Sequence, residues 1–217
     1  CQRLEASLTA VADGERDREL PAPEDAAGAG ETDPEVSRLL GRRVVSVDEA
    51  VARAARRGLR LPLVYNTGGY DSLTALQLLD GVVDVYMPDA KYADEAAGRR
   101  WSGVRDYVAV SRAALREMHR QVGDLALDER GLARRGLLVR HLVLPGGAAG
   151  TARVMRFLAR EVSAATWVNV MGQYRPCHLA GDHPALSRRT TPEEHAAAVA
   201  AARRAGLARL DGLRDQP

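Results

Sequence analysis

The sequence predicts an α/β protein built on a parallel sheet covered by helices, and three observations carry that prediction. From Val44 onward, strand-like apolar runs alternate with helical segments. The strand-like runs around 62–66, 83–89, 137–144 and 167–172 are almost continuously apolar, as strands of a covered parallel sheet are. Each then gives way to polar, glycine or proline residues: YNTGGYD, PDAKY, PGGAAGT and GQYRP. In a parallel sheet the carboxyl ends of the strands share one edge, where ligands bind.

The elements follow in order. QRLEASLTAVADGERDREL has a weak helical pattern, and PAPEDAAGAGETDPE is too rich in Pro, Gly, Ala and acid to bury a core. Residues 1–43 therefore read as an irregular or disordered segment ahead of a domain at 44–217. VDEAVARAARRG is an amphipathic helix with Gly58 as its stop. LPLVYNTGG is a strand running into a glycine turn, and Asp71 or Ser72 caps the helix SLTALQLLDG. VVDVYMPD is the next strand, followed by two helices, ADEAAGRRWSG and DYVAVSRAALREMHRQVG. DLALDERGLARRGLLVRHLVLPGG reads as a short hairpin opening into a long strand, and TARVMRFLAREVS as a helix. WVNVMGQYRP is the last strand, TPEEHAAAVAAARRAGL the last helix, and LARLDG closes the chain. Thr191, Pro192 and Glu194 supply the capped start of that helix.

Composition removes several classes. At 217 residues the chain can bury a real core, and its net charge of +2 is nearly neutral. The pairs Arg42-Arg43, Arg56-Arg57, Arg134-Arg135 and Arg203-Arg204 lie apart among apolar or acidic neighbours. They mark solvated faces, not a nucleic-acid footprint. No apolar run approaches the roughly 18 residues a membrane span needs. Two cysteines, Cys1 and Cys177, are too few for a disulfide framework and fit a reducing cytoplasm. No basic-then-apolar targeting segment follows Cys1.

The chain holds 30 arginines and one lysine, Lys91. Arginine replaces lysine freely on a solvated face, but not where a compact, singly pointed ammonium is needed. Lys91 ends VVDVYMPDAK, two residues after Asp89, so the two share one side of a strand end. Asn66 and Thr67 offer side-chain oxygens there, and Gly68-Gly69 permit close backbone approach. Arg140 and His141 are adjacent on one strand, so only one faces the ligand. Pro145-Gly146-Gly147 precede a helix whose exposed amides can accept an anion, and Gln173, Tyr174 and Arg175 add hydrogen bonds. Asp89 suits an ammonium and Lys91 a carboxylate, so the set fits a zwitterion such as an amino-acid moiety. His119, Trp101 and Trp167 read as packing residues, and the loop CHLAGDH departs from established zinc spacings.

RGLRLPLVYNTGGYDSLTALQLLDGVVDVYMPDAKYAD, ALREMHRQVGDLALDERGLARRGLLVRHLVLPGG and WVNVMGQYRP resemble the radical SAM proteins related to the pyruvate formate-lyase activating enzyme, in a less characterised branch. The resemblance spans roughly residues 48–212 in order and spacing. It implies a partial (β/α) barrel, S-adenosylmethionine and a 4Fe-4S cluster. That cluster would cleave the cofactor to a radical acting on an unidentified protein or small-molecule substrate. Asn66 and Thr67 stand where the family carries an Asp-Thr pair near the methionine carboxylate. There a monovalent cation is shared with the counterpart of Asp89. Asparagine at 66 weakens the case for a cation. Lys91 matches the lysine that contacts the carboxylate, Arg140 matches the arginine before the Val-Pro-Gly turn, and Gln173 or Tyr174 lies near a cofactor contact.

The family's C-x3-C-x2-C trio is absent, although Cys1-Gln2 resembles its last cysteine. The segments that would carry the first barrel strands are unrecognisable before Val47. The barrel is therefore expected to be truncated at its N-terminal strands. It would be an incomplete or frame-shifted copy of a radical SAM protein, a natural truncated paralogue, or one half completed by a partner chain. A sheet without its first strands exposes an edge and an apolar face. The alternative expectation is a non-catalytic remnant barrel that serves as a binding or interaction protein.

Overall fold

In a computed structural model, residues 47–211 are described. The predicted irregular segment at 1–43 and the cluster candidate Cys1 lie outside them. The chain divides into two compact units, residues 1–61 and 62–217. In the first, helix α1 spans Val47–Arg56. It stops where Gly58 turns to φ +89° and Leu59 N–H returns to the Ala54 carbonyl at 3.0 Å, a left-handed glycine stop.

The second unit is α/β with a mostly parallel sheet. Its strands are β1 (Val64–Thr67), β2 (Val85–Pro88), β3 (Ala126–Leu127), β4 (Ala133–Leu142), β5 (Trp167–Met171) and β6 (Leu210–Asp211). The order among the described residues is β1-β2-β4-β5-β6, every neighbour parallel, with β3 antiparallel on β4. Strands paired in chain order, with helices between them, give the simplest succession of right-handed crossovers. The helices are α2 (Leu73–Leu78), α3 (Glu95–Ser102), α4 (Tyr107–Val122), α5 (Thr151–Phe157) and α6 (Pro192–Arg204). A π turn over Leu158–Val162 extends α5.

The two faces of the sheet differ. Tyr86, Leu137, Val139, Val168 and Val170 form one face and are fully buried. They pack against Leu76 of α2, Leu115 and Met118 of α4, Met155 of α5 and Ala202 of α6. The register places Asn66, Met87, Leu138, Arg140, Leu142, Trp167, Asn169 and Met171 on the other face. All of these are half-buried or exposed, although Val85 on the same face is buried and Leu142 packs against Leu144 and Leu186. The near-continuously apolar strands had predicted cover on both faces. The residues responsible are Leu138, Leu142 and Met171, which are apolar yet only half-buried on the open side.

Several local expectations resolve. Ser72, not Asp71, caps α2, its hydroxyl accepting from Ala75 N–H. Asp71 instead accepts from the hydroxyls of Tyr65 and Thr67. Thr191 and Glu194 form a reciprocal capping box on α6. The hairpin is β3–β4, with the long strand starting at Ala133, four residues before the expected 137. LARLDG contributes an unexpected short strand, β6.

Candidate functional site

The site is built around the turn that follows β2. Asp89 pairs with Arg140 as an isolated parallel bridge, so the two side chains stand side by side on the open face at the carboxyl edge. Arg140 donates to Asp89 Oδ1 from Nε at 2.9 Å, and its Nη2 forms an ion pair with the same oxygen at 2.7 Å. Lys91 Nζ lies 3.5 Å from the other oxygen, Oδ2. One carboxylate thus holds two cations, leaving the cluster with a formal excess of one positive charge. The Asp89 side chain is 21% exposed, that of Arg140 25% and that of Lys91 42%. A ligand can therefore reach the cations while the shared anion stays behind them.

The backbone of this turn is pinned at every amide. Asp89 N–H donates to Thr67 O at 3.0 Å, Ala90 N–H to Arg140 O at 2.8 Å and Lys91 N–H to the Tyr107 hydroxyl oxygen at 2.9 Å. The Tyr107 hydroxyl donates in turn to Asp89 O at 3.2 Å. Burial is the main cause pushing that hydroxyl up to about 12, so it remains protonated at neutral pH. Ala90 O accepts from His141 Nδ1 at 2.6 Å. Gly69 presses from the other side at φ +75°, and a Cβ there would collide with the Asp89 carbonyl oxygen. Gly98 in α3 allows Tyr107 its place, since a Cβ at 98 would stand 2.8 Å from Tyr107 Cβ.

The open choice between Arg140 and His141 is settled by burial. Arg140 occupies the open face, whereas His141 is fully buried between the turn and the start of α5. The other predicted residues divide. Thr67 is at the site, but its hydroxyl donates to Asp71 at 2.7 Å and accepts from Gly69 N–H at 3.3 Å. Asn66 lies exposed on the open face, on the edge strand beside Met87. Gln173 is exposed, and the Tyr174 hydroxyl donates to Leu186 O at 2.9 Å within a small apolar cluster. Neither has a contact with Asp89, Lys91 or Arg140. The amide of Gly146, expected to receive a ligand anion, donates to Glu194 at 2.7 Å, so the protein's own carboxylate fills that role.

The sequence reading missed Tyr107 and Asn169, and weighed His141 only as the alternative to Arg140. Tyr107 and His141 act on backbone carbonyls and amides, which leave no mark in residue spacing. Asn169 sits beside Arg140 in the sheet register and faces the same side. Its signal was available in the alternation of WVNVM, where Trp, Asn and Met share a face.

No group of three or more His, Cys, Asp or Glu among the described residues could hold a metal ion. Cys177 is free and exposed. The described residues therefore do not fit a four-iron cluster held by three cysteines. They do fit a carboxylate, through Lys91 and Arg140. No helix among the described residues is long and apolar enough to cross a membrane.

Fold and site together define an α/β protein that presents a compact cationic pair at the carboxyl edge of a parallel sheet. No family model matches the chain. It is similar to an uncharacterized protein of Methanocaldococcus jannaschii, 33% identical over 135 residues, which cover 62% of this chain and 36% of that protein. The chain thus spans about a third of the length of the curated relative it matches.

Proposed function

We propose that this chain is the part of a radical SAM protein, related to the pyruvate formate-lyase activating enzyme, that grips the carboxylate of S-adenosylmethionine on a partial (β/α) barrel. The Asp89–Lys91–Arg140 cluster carries this reading: its one surplus positive charge suits a single carboxylate. Lys91 would release its 3.5 Å contact with Asp89 and donate to the ligand. Arg140 already spends Nε and Nη2 on Asp89, which leaves Nη1 for the same purpose. The polar residues Asn66 and Asn169 on the open face are in keeping with a barrel interior that receives cofactor and substrate. When bound beside a reduced cluster, S-adenosylmethionine supplies the radical. No step of that chemistry falls to a residue described here.

The second reading is a binding protein without catalysis, in which the same cationic pair holds a carboxylate ligand. Calorimetry with S-adenosylmethionine tests what the readings share. Lys91→Ala should weaken binding at least about tenfold, the loss of one charge-assisted contact. Arg134→Ala, on the exposed hairpin with Asp128 as its partner, should leave it unchanged. Equal effects would remove the assignment. Anaerobic incubation with iron and sulfide separates the readings: cofactor cleavage supports the enzyme, and binding without iron uptake supports the binding protein.

A further inference from the structure

His141 bridges the turn after β2 and the start of α5, which Arg153 and Asp94 also tie together further along the loop. Its Nδ1 lies 2.6 Å from the carbonyl oxygen of Ala90, the residue between Asp89 and Lys91. A carbonyl can only accept, so Nδ1 carries the proton. Nε2 is 2.9 Å from the hydroxyl of Thr151, the first residue of α5. In the neutral ring Nε2 has no proton, so Thr151 donates to it. The carbonyl thereby fixes the tautomer, and the Thr151 hydroxyl completes the ring's hydrogen bonds by donating to the bare Nε2. His141 is fully buried, and its neighbour Arg140 takes the opposite face and grips Asp89 directly. The strand therefore holds the turn twice, through a side chain on each face.

We infer that His141 is a positioning residue for the carboxylate-gripping turn, holding Ala90 so that Asp89 and Lys91 project together, with Thr151 satisfying its other ring nitrogen. The inference rests on the reading of Lys91 as the carboxylate contact. Binding geometry of this kind is sensitive to the residues behind it, which typically change affinity or activity by about 10- to 100-fold when removed. Ala90 O has no other donor, so without His141 a buried carbonyl loses its partner.

The test compares His141→Phe, which keeps a planar ring of somewhat larger size and removes both hydrogen bonds, with His141→Asn, whose side-chain amide can replace the Nδ1 donor. Two quantities are read on the full chain: amide hydrogen exchange at 89–91, and affinity for S-adenosylmethionine against its decarboxylated analogue. His141→Phe should raise exchange at 89–91 while leaving 137–140 protected. It should weaken the carboxylate ligand about tenfold or more without changing the decarboxylated one. His141→Asn should restore both toward wild type. Unchanged exchange at 89–91 in His141→Phe overturns the inference, as does equal weakening of both ligands. If the wild type fails to prefer the carboxylate ligand, the reading of Lys91 fails, and the exchange measurement still decides the role of His141.

Discussion

Asp89 shows how one buried-side carboxylate sets the behaviour of its neighbours. It keeps Arg140 and Lys91 within reach of each other when no ligand is present, offsetting their mutual repulsion. His141 behind it has a different electrostatic problem. Burial lowers its proton affinity below the ordinary 6.5, outweighing the Ala90 hydrogen bond and the charge of Asp89, which raise it. In the unfolded chain the same imidazole takes a proton near its ordinary value. Below about pH 6.5 the unfolded state therefore binds protons that the folded state refuses, and stability falls as pH falls, by up to about 1.4 kcal/mol per pH unit. Urea unfolding at pH 7.5 and 5.5 should show a larger drop for wild type than for His141→Asn. An equal drop would mean that His141 is not held neutral. At this scale the charged residues were legible in the sequence, because Lys91 stands out by count and Asp89 by spacing. The partition of Arg140 and His141 was not. Alternation states that they face opposite sides, but which side is covered depends on helices distant in sequence.

At the scale of elements, starts and stops were the best-read features, because capping chemistry is local. Gly58 ends α1, and Thr191 with Glu194 starts α6, as their residue types require. Glu194 also does something spacing could not foretell. Its carboxylate takes Arg188, Thr191 N–H and Gly146 N–H together, and these donors, Arg188 foremost, hold it far below the usual carboxylate range. It thereby ties the start of α6 to the Pro145–Gly147 turn after β4. Thr191→Ala removes the hydroxyl that accepts from Glu194 N–H at 3.2 Å, together with the γ-methyl. Its expected cost is about 1 kcal/mol, the usual loss for an N-cap threonine. Denaturant unfolding with an unchanged m value checks it; a loss several times larger would mean that the cap also holds the turn. Strand β6 escaped notice because two paired residues are too few to show a period. The start of β4 was misplaced because Ala133 and Arg135 pair with β3 through their backbones, while Arg134 and Arg135 carry charged, exposed side chains.

At the scale of the whole sheet, the asymmetry between its faces governs what the unit can do. The helices cover one face of the parallel sheet, while Asp89, Arg140 and Asn169 align across the other, which is only partly covered. The α/β class was legible from alternation. The partial cover of one face was not, because Leu138 and Leu142 are as apolar as their buried neighbours. Adjacent leucines on β4 make the asymmetry measurable. Leu137 is fully buried against the helices, while Leu138 points to the open face and is half-buried. Leu137→Ala should cost about 2–5 kcal/mol, the range for emptying a packed core site. Leu138→Ala removes the same atoms from a site that still touches water, and should cost less than about half as much. Urea unfolding of the two variants at matched pH reads the difference directly. Comparable losses would mean that the second face is covered in solution, by another part of the full-length protein or by another molecule. The side chains aligned on it would then line an enclosed site, and the grip of Lys91 and Arg140 on a carboxylate would strengthen with the exclusion of water.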